Sequence, residues 1–259
     1  MVAMKEKARQ LGFKAVVANW EQYANQPWLE ELLKAEELEK DRRGLERRIK
    51  DAQIGQFKAM SEMDWDWPTF IDRQQIEDLF SLSFLEEKAN VALVGTNGLA
   101  KTMIAQNLAY QAATEGYKTR FVQASQMLTQ LAQCDGASAR ARCLRKYCSV
   151  ELLVIDEVGY LGYDNRFADL LFEVVSGRYR KKSTILTTNK AFTQWGEIFP
   201  NAACVVTLID RLLHKAELIL IEGDSYRHKE AEERKAAKEK ERKARRTEKA
   251  GSKKKGEAE

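Results

Sequence analysis

A glycine-containing turn that runs into Lys-Thr is the first stretch of this chain whose residue types could do chemistry. The apolar run Val91–Val94 precedes it, and a helical pattern from Met103 to Ala113 follows it. The turn consists of Gly95, Thr96, Asn97, Gly98, Leu99, Ala100, Lys101 and Thr102. A strand, a loop and a helix start in this order form a P-loop, in which backbone N–H groups and the helix dipole face phosphate oxygens. The stretch therefore predicts a nucleotide site.

Two side chains of this loop supply specific chemistry. Lys101 is a mobile cation for the β- and γ-phosphates, and the Thr102 hydroxyl is a ligand for Mg²⁺. Ala100 stands where the pattern G-x-x-x-x-G-K-[ST] has glycine. An alanine there costs about 1 kcal/mol or more if the backbone requires a positive φ. On this motif alone, an ordinary strand-to-helix turn stays open as the alternative.

Polar residues end two further apolar runs. Leu152–Ile155 leads into Asp156 and Glu157, and Thr184–Thr187 leads into Thr188-Asn189. Because parallel strands bring their carboxyl ends to one crevice, we expect all three strand ends beside one ligand. There Asp156 would orient Mg²⁺, Glu157 would polarise the water that attacks the γ-phosphorus, and Asn189 would hydrogen-bond that water or the γ-phosphate. This constellation predicts nucleotide hydrolysis.

The elements that must position these residues alternate between strand and helix, which is typical of an α/β fold with a parallel sheet. The predicted strands are Val91–Val94, Lys118–Gln123, Leu152–Ile155, Thr184–Thr187 and Glu217–Ile221. The predicted helices are Lys101–Thr114, Ser125–Leu131, Asn165–Arg180 and Val205–His214, with another helical pattern from Ile71 to Phe84. Pro68 breaks the helical pattern ahead of this core. We therefore divide the chain into residues 1–67, 68–226 and 227–259.

Residues 1–67 are predicted to form a helical domain for DNA binding and assembly. Its long helical pattern changes from acidic to basic and carries Arg42, Arg43, Arg47, Arg48 and Lys50. Arg43, Arg47 and Lys50 share one side, which favours contacts with DNA phosphates. A solvated helix face is an equally good interpretation. A second basic segment, with Arg140, Arg142 and Arg145, is predicted to contact DNA as well.

The net charge of +4 lies in the last residues of the chain. Residues 227–259 hold 14 Lys and Arg against 8 Asp and Glu, whereas residues 1–226 hold 29 against 31. With no apolar stripe, this tail is predicted to be disordered or loosely helical, and either binds nucleic-acid phosphates or keeps the chain in solution. The sequence has no apolar run of 18 residues, no secretion signal and no C-x-x-C spacing, so we expect a cytoplasmic protein without a membrane span or a zinc site.

The strand-end motifs resemble those of the AAA+ ATPase superfamily, with Walker A at Gly95–Thr102, Walker B at Leu152–Glu157 and sensor 1 at Thr187–Asn189. Within it, the chain is similar to the IstB-like family, the helper ATPases of insertion-sequence transposases, which are related to the helicase loader DnaC. The likeness covers about residues 20–227. It rests further on Leu153–Tyr160, Ser183–Lys190, Ile209–His214 and Gly223–Arg227.

The resemblance implies a RecA-like core without a large lid, ATP and Mg²⁺ as ligands, and a homo-oligomer on duplex DNA with a transposase as partner. It also implies an arginine finger, for which Arg211 matches best and Arg178 and Arg180 are the alternatives. An ion pair of Arg211 on a surface helix is nearly as good an interpretation. Two other functions stay open: a DnaC-like helicase loader, and an ATP-binding DNA scaffold with little hydrolysis, which Ala100 keeps in view.

Overall fold

The computed structural model describes residues 2–159, 165–199, 204–226, 228–232, 234–235 and 238–239. Its helices are α1 (Val2–Leu11), α2 (Lys14–Ala18), α3 (Trp20–Tyr23), α4 (Pro27–Ala52), α5 (Arg73–Leu79), α6 (Ser83–Glu86), α7 (Lys101–Thr114), α8 (Ala124–Ala132), α9 (Ala137–Cys148), α10 (Asn165–Arg178), α11 (Trp195–Ile198) and α12 (Val205–Leu213). Its strands are β1 (Phe70–Ile71), β2 (Asn90–Gly95), β3 (Thr119–Gln123), β4 (Leu152–Val158), β5 (Ser183–Thr188) and β6 (Ala216–Glu222). Most of the tail predicted to be disordered lies outside the described residues, and so do Tyr160 and Arg227 of the stretches that carry the resemblance.

The six strands form one sheet in the order β1-β6-β2-β5-β4-β3. The short strand β1 is antiparallel to β6, and every other neighbouring pair is parallel. This confirms the predicted α/β class. Because β2, β5 and β4 are consecutive neighbours, the three strands with polar ends deliver those ends to one edge of the sheet.

Helices cover both faces of the sheet. The face that carries Val91 and Leu93 packs against α7, and the face that carries Leu153 and Ile155 packs against α8, α10 and α12. A run of strand residues that are apolar on both sides is the pattern expected of a parallel sheet buried on both faces. None of the helices in the described ranges has the length and apolar character needed to cross a membrane.

The N-terminal helices have a small core of their own, but α4 is anchored to the ATPase-like core. Ala8, Leu29 and Leu33 form the small core. Further along, Nε of Arg48 donates to the carbonyl of Ala113 over 2.9 Å. The residues that follow α4, including Ile54, belong to the main buried cluster. Residues 53–69, which join α4 to β1 and are called the connector below, are therefore packed onto the sheet domain.

The predicted helix from Ile71 to Phe84 is wrong, because the structure divides this stretch into β1, α5 and α6. The Asp72 carboxylate accepts the Gln75 N–H at 2.9 Å and so starts α5, and Leu82 adopts a left-handed conformation with φ 60° between the two helices. Similarly, α10 ends at Arg178, before Arg180 turns left-handed with φ 59°. Local capping and left-handed residues set these boundaries, which apolar periodicity does not report.

Candidate nucleotide-binding site

The P-loop sequence forms a compact loop between β2 and α7. Gly98 has φ 84°, and Ala100 is left-handed with φ 58° and ψ 8° directly before the helix. Lys101 is 8% exposed, and its ammonium group donates to the Thr96 carbonyl over 2.6 Å. The first turn of α7 leaves backbone N–H groups without helical partners beside this loop. Backbone donors and a buried cation together suit a phosphate group.

The end of β6 and the residues after it lie against this loop. The Tyr226 N–H donates to the Gly98 carbonyl at 3.1 Å, and the Thr96 hydroxyl donates to the Gly223 carbonyl at 3.2 Å. A Cβ at Gly98 would overlap the Ser225 hydroxyl. Gly98 is therefore required by close contact as well as by its positive φ.

A carboxylate and two hydroxyls meet beside the loop. Asp156, at 2% exposed, accepts hydrogen bonds from Thr102 Oγ1 at 3.0 Å and from Thr187 Oγ1 at 2.6 Å. Hydroxyl and carboxylate oxygens are ligands that Mg²⁺ prefers. The described residues contain no group of three or more His, Cys, Asp or Glu that could hold a metal. The oxygens of Thr102 and Asp156 fit Mg²⁺, and these two residues would hold the ion.

Glu157 occupies a kink in β4. The register with β5 shifts between Ile155 and Val158, and Glu157 is left-handed with φ 61°. Its N–H donates to Thr187 Oγ1 at 2.8 Å. A left-handed residue other than glycine costs roughly 1–2 kcal/mol and persists only where its surroundings fix it. Because of this kink, Glu157 lines the cavity beside the P-loop while Asp156 stays with Thr102.

Asn189 follows β5 and lines the same cavity. Its Oδ1 is buried and has no hydrogen-bond partner among the described residues. Buried polar atoms in folded proteins are nearly always hydrogen-bonded, so an unpaired one beside a cavity indicates an absent donor. A water molecule held near a phosphate would satisfy it.

The cavity has a volume of about 360 Å³ and two kinds of wall. The P-loop, Glu157 and Asn189 form a polar wall. The opposite wall comes from the connector and the chain after β6, and it contains Phe57, Met63, Trp67, Pro68 and Tyr226. A small polar end with an apolar, aromatic remainder is typical of a ligand pocket, and aromatic rings suit a purine base.

The sequence did not reveal this aromatic wall. No local pattern brings Trp67 and Tyr226 together, and Tyr226 enters only within Gly223–Arg227, one of the stretches that carry the resemblance. The two rings lie 5.9 Å apart at 78° although the residues are 159 positions apart in the chain. The one usable signal was the unusual pair of tryptophans at Trp65 and Trp67, which does not say what either residue contacts.

Arg211 lies away from this cavity. Its guanidinium donates to the Ser176 hydroxyl and lies 4.8 Å from the Phe172 ring centroid. With Arg180, it lines a second cavity of about 170 Å³ that also includes Asn90, the first residue of β2. The P-loop begins at the other end of β2, so the two cavities lie at opposite ends of this strand. Arg211 therefore does not line the cavity that holds the P-loop of its own chain.

The two alternatives for the finger differ in the structure. Arg178 is 1% exposed and donates to the carbonyls of Tyr147 at 2.6 Å and Val150 at 2.9 Å, and to the Thr184 hydroxyl at 3.0 Å. Burial lowers the pKa of Arg178 to about 10. Its guanidinium joins the end of α9, the two residues ahead of β4 and the start of β5, so it cannot serve as a finger. Arg180 is exposed beside Arg211.

The predicted DNA-contacting residues of α4 fall into three groups. Arg42 pairs with Glu39 at 2.7 Å, and Arg43 pairs with Glu36 at 2.9 Å. The Arg48 side chain is used to anchor α4 on Ala113. Two basic residues, Arg47 and Lys50, are exposed and form no ion pair within the described part of the chain.

The basic residues of α9 also differ. Arg140 pairs with Glu173 at 2.5 Å. Arg142 and Arg145 are exposed, and no ion pair engages them within the described ranges. The two predicted basic segments thus contain four exposed cations that can bind an anion of another molecule. They are Arg47, Lys50, Arg142 and Arg145.

Comparisons with known proteins agree with this fold. The family model for the IstB-like ATP binding protein matches residues 3–234. A protein of Geobacillus stearothermophilus, named for ATP binding in insertion sequence IS5376, is 35% identical over 77% of this chain and 79% of its own length. A protein of Bacillus thuringiensis subsp. berliner, named likewise for insertion sequence IS232, is 37% identical over 67% of this chain and 69% of its own.

Two solved structures share the fold. The crystal structure of DnaI has a TM-score of 0.51 and 18% identity, and covers 64% of this chain and 89% of that one. The crystal structure of the DnaC helicase loader has a TM-score of 0.50 and 19% identity, and covers 66% of this chain and 97% of that one. These likenesses show the AAA+ fold, and the family match is the more specific finding. The chain belongs to the IstB-like family of ATP-binding proteins.

Proposed function

We propose that this protein binds ATP with Mg²⁺, hydrolyses ATP, and acts as a homo-oligomer on duplex DNA to assist the transposase of an insertion sequence. One observation carries the hydrolysis. Glu157 and Asn189 lie in the same cavity as the P-loop, and Thr187 joins Glu157 to the Thr102–Asp156 pair. Nucleotide binding alone would not need a strained residue such as Glu157 at this position.

The residues of the site divide the work. The P-loop N–H groups and Lys101 bind the β- and γ-phosphates, and Thr102 and Asp156 hold Mg²⁺, which neutralises phosphate charge when bound. Glu157 orients a water and accepts its proton as the water attacks. The unpaired Oδ1 of Asn189 accepts a hydrogen bond from the same water and fixes its direction. Because Thr187 contacts both acidic residues, it keeps the metal ligand and the base in one arrangement.

The position of Arg211 supports the proposed assembly. Its guanidinium stands at the end of β2 that is remote from the P-loop, so completing a nucleotide site requires a second copy. A planar cation beside the γ-phosphate stabilises charge in the transition state. ATP binding then favours contact between subunits, and hydrolysis weakens it.

DNA binding is supported by the exposed cations Arg47, Lys50, Arg142 and Arg145 and by the basic tail. These residues suit phosphate contacts without base reading. The transposase as partner is supported by the insertion-sequence names of the relatives.

Phosphate release from ATP by the full chain, with and without duplex DNA, tests the proposed activity. The comparison uses Lys101→Met and, as a matched loss of an exposed lysine, Lys118→Met. We expect turnover in the wild type and in Lys118→Met, and none in Lys101→Met. Equal rates in all three proteins would show that the turnover comes from a contaminant, whereas ATP binding without turnover would favour the scaffold.

The partner is tested separately, by co-purification of the chain with an insertion-sequence transposase and with a replicative helicase. Retention of the transposase in the presence of ATP supports the proposal. Retention of the helicase alone would assign the protein to the helicase loaders.

A further inference from the structure

We propose that residues 224–226 and 228–230 form a strap that closes the aromatic side of the nucleotide cavity, so that nucleotide binding and anchorage of the charged tail are coupled. The inference rests on the proposed function in one respect, that this cavity binds ATP. It adds a device that links the cavity to the tail, through contacts outside the P-loop and strand-end motifs.

The strap is fixed first to the P-loop. The Tyr226 N–H donates to the Gly98 carbonyl at 3.1 Å, and Ser225 packs so closely on Gly98 that no side chain fits there. Ser225 then accepts the N–H groups of His228 at 3.0 Å and Lys229 at 3.3 Å, which begins a helical turn. The loop that would hold phosphates and the start of the tail are thus in direct contact.

The strap is fixed a second time to the connector. Lys229 pairs with Asp64 at 3.1 Å, and its ammonium group lies 4.4 Å from the Trp67 ring centroid. Trp67 donates its indole N–H to the Asp224 carbonyl at 2.7 Å. The side chains of Asp64 and Lys229 are each only about one-third exposed. Salt therefore screens their ion pair less than it screens a fully exposed pair.

A further ion pair closes the same contact farther along the strap. The Lys58 ammonium donates to the Glu230 carboxylate over 3.1 Å, and this hydrogen bond raises the pKa of Lys58. The Lys58 carbonyl in turn accepts a hydrogen bond from Asn107 of α7 at 2.9 Å. The helix that starts at the P-loop is therefore tied to the strap through the connector.

The residues that hold the strap also form the cavity wall. Those that line the cavity are Lys58, Asp64, Trp67, Tyr226 and Glu230. A ligand that packs against this wall favours the state in which the strap is in place. By thermodynamic linkage, the ligand and a partner that displaces the strap lower each other's affinity by the same factor.

This arrangement gives the tail a role beyond charge. The charged tail follows the strap in the sequence, so we expect duplex DNA that binds the tail to act on the strap and through it on the nucleotide cavity. The affinity for nucleotide then depends on DNA, and the dependence requires the contact between Lys229 and Asp64.

The test uses the full-length chain and a fluorescent ATP analogue, titrated without and with duplex DNA. Lys229→Met removes the ion pair and the ring contact, and Asp64→Asn removes the ion pair from the other side. Lys235→Met is the matched control, since Lys235 is an exposed lysine of the same segment that does not line the cavity. Hydrogen exchange of the peptide that contains Tyr226 reports the strap itself.

We expect Lys229→Met and Asp64→Asn each to lower the affinity for the ATP analogue about fivefold or more. Fivefold is roughly the lower end of typical coupling factors. The double variant should lose no more than Lys229→Met alone, and Lys235→Met should match the wild type. Nucleotide should slow exchange of the Tyr226 peptide in the wild type and less in Lys229→Met. Trp67→Phe, which keeps a ring but loses the donor to Asp224, should act in the same direction.

The failures are distinguishable. If the wild type does not bind the analogue, the proposed function fails and the strap fails with it. If the wild type binds, but Lys229→Met binds as tightly and responds to DNA as strongly as Lys235→Met, the strap is wrong while the proposed function stands. Faster hydrogen exchange across the whole chain in Lys229→Met would also overturn the strap proposal, because Lys229 would then stabilise the entire fold and not the strap in particular.

Discussion

Thr187, the fifth residue of β5, donates its hydroxyl to Asp156 near the end of β4, with 2.6 Å between Oγ1 and Oδ1. The same oxygen accepts the Glu157 N–H at 2.8 Å. One buried hydroxyl therefore joins the proposed metal ligand to the proposed base. A shift of β5 relative to β4 would disturb both acidic residues together.

Thr187→Val should lower ATP turnover more than tenfold and weaken ATP binding much less. Valine keeps the shape but leaves the Glu157 N–H without its partner, at a cost of about 1–3 kcal/mol in the free energy of unfolding. Thr187→Ser restores the hydroxyl and should recover most of the turnover. Turnover and analogue affinity measured on the three proteins check this, and an equal fall of affinity and turnover would reduce Thr187 to a structural role.

Glu157→Gln should bind ATP and assemble on DNA like the wild type but fail to turn ATP over. Glutamine has the same size and keeps the contacts of the kink, while it cannot accept the proton of the attacking water. Glu197→Gln, at an exposed glutamate, is the matched control. Single-turnover phosphate release gives the rates, and normal release by Glu157→Gln would move the base to another residue.

The parts of this site that follow from sequence are those built by consecutive residues. The P-loop and the two polar strand ends each combine an apolar strand with the residues directly after it, and the parallel sheet brings them together. The contact of Trp67 with Asp224 joins residues 157 positions apart. No local pattern encodes such a contact, and so the aromatic wall and the strap required the structure.

A similar limit applies to the basic helix. Periodicity placed Arg43, Arg47 and Lys50 on one side of α4, but it cannot show which of them carboxylates already engage. In the structure Glu36 forms an ion pair with Arg43, and the Ala113 carbonyl accepts a hydrogen bond from Arg48. Charge spacing thus identified a basic helix without separating its exposed cations from its structural ones.

Arg47→Gln combined with Lys50→Gln should weaken duplex DNA binding more than Arg42→Gln combined with Arg43→Gln. Each phosphate contact contributes about 0.9 to the slope of log K against log salt, so the first pair should reduce the slope by about two. Affinities at several salt concentrations measure this. Equal slopes for both double variants would mean that α4 is a solvated face.

Arg48→Gln tests the structural assignment on the same helix. Losing the hydrogen bond to the Ala113 carbonyl should cost about 1 kcal/mol of stability, with DNA affinity unchanged. Melting curves and a DNA titration separate the two effects. A loss of DNA affinity at unchanged stability would return Arg48 to the DNA-contacting group.

Removal of residues 236–259 should weaken DNA binding and reduce its salt slope while nucleotide affinity stays as in the wild type. This segment holds ten Lys and Arg against five Asp and Glu. Truncation after Tyr226 would also delete Lys229 and Glu230, and should therefore lower the affinity for nucleotide as well. Salt titrations of the two truncations make the comparison, and an unchanged salt slope in both would leave the tail only a role in keeping the chain in solution.

Ala100→Gly should leave nucleotide affinity within about twofold and raise stability slightly. From the sequence, alanine at this position costs about 1 kcal/mol or more if the backbone requires a positive φ. In the structure, Ala100 is left-handed with φ 58° directly before α7, so we assign the strain to the fold of the loop, where it opposes folding. Glycine relieves about 1 kcal/mol of this strain, and its greater freedom in the unfolded chain offsets part of the gain.

Gly98→Ala is the reciprocal change two residues earlier and should have the opposite outcome. Its Cβ would overlap the Ser225 hydroxyl, so the P-loop and the start of the strap cannot both keep their positions. We expect nucleotide affinity to fall at least tenfold, a change of about 1.4 kcal/mol, with a lower melting temperature. Analogue titrations and melting curves on both variants make the comparison. A tenfold gain of affinity in Ala100→Gly would place the strain in the bound state after all, and would favour a scaffold whose nucleotide site is impaired by its own alanine.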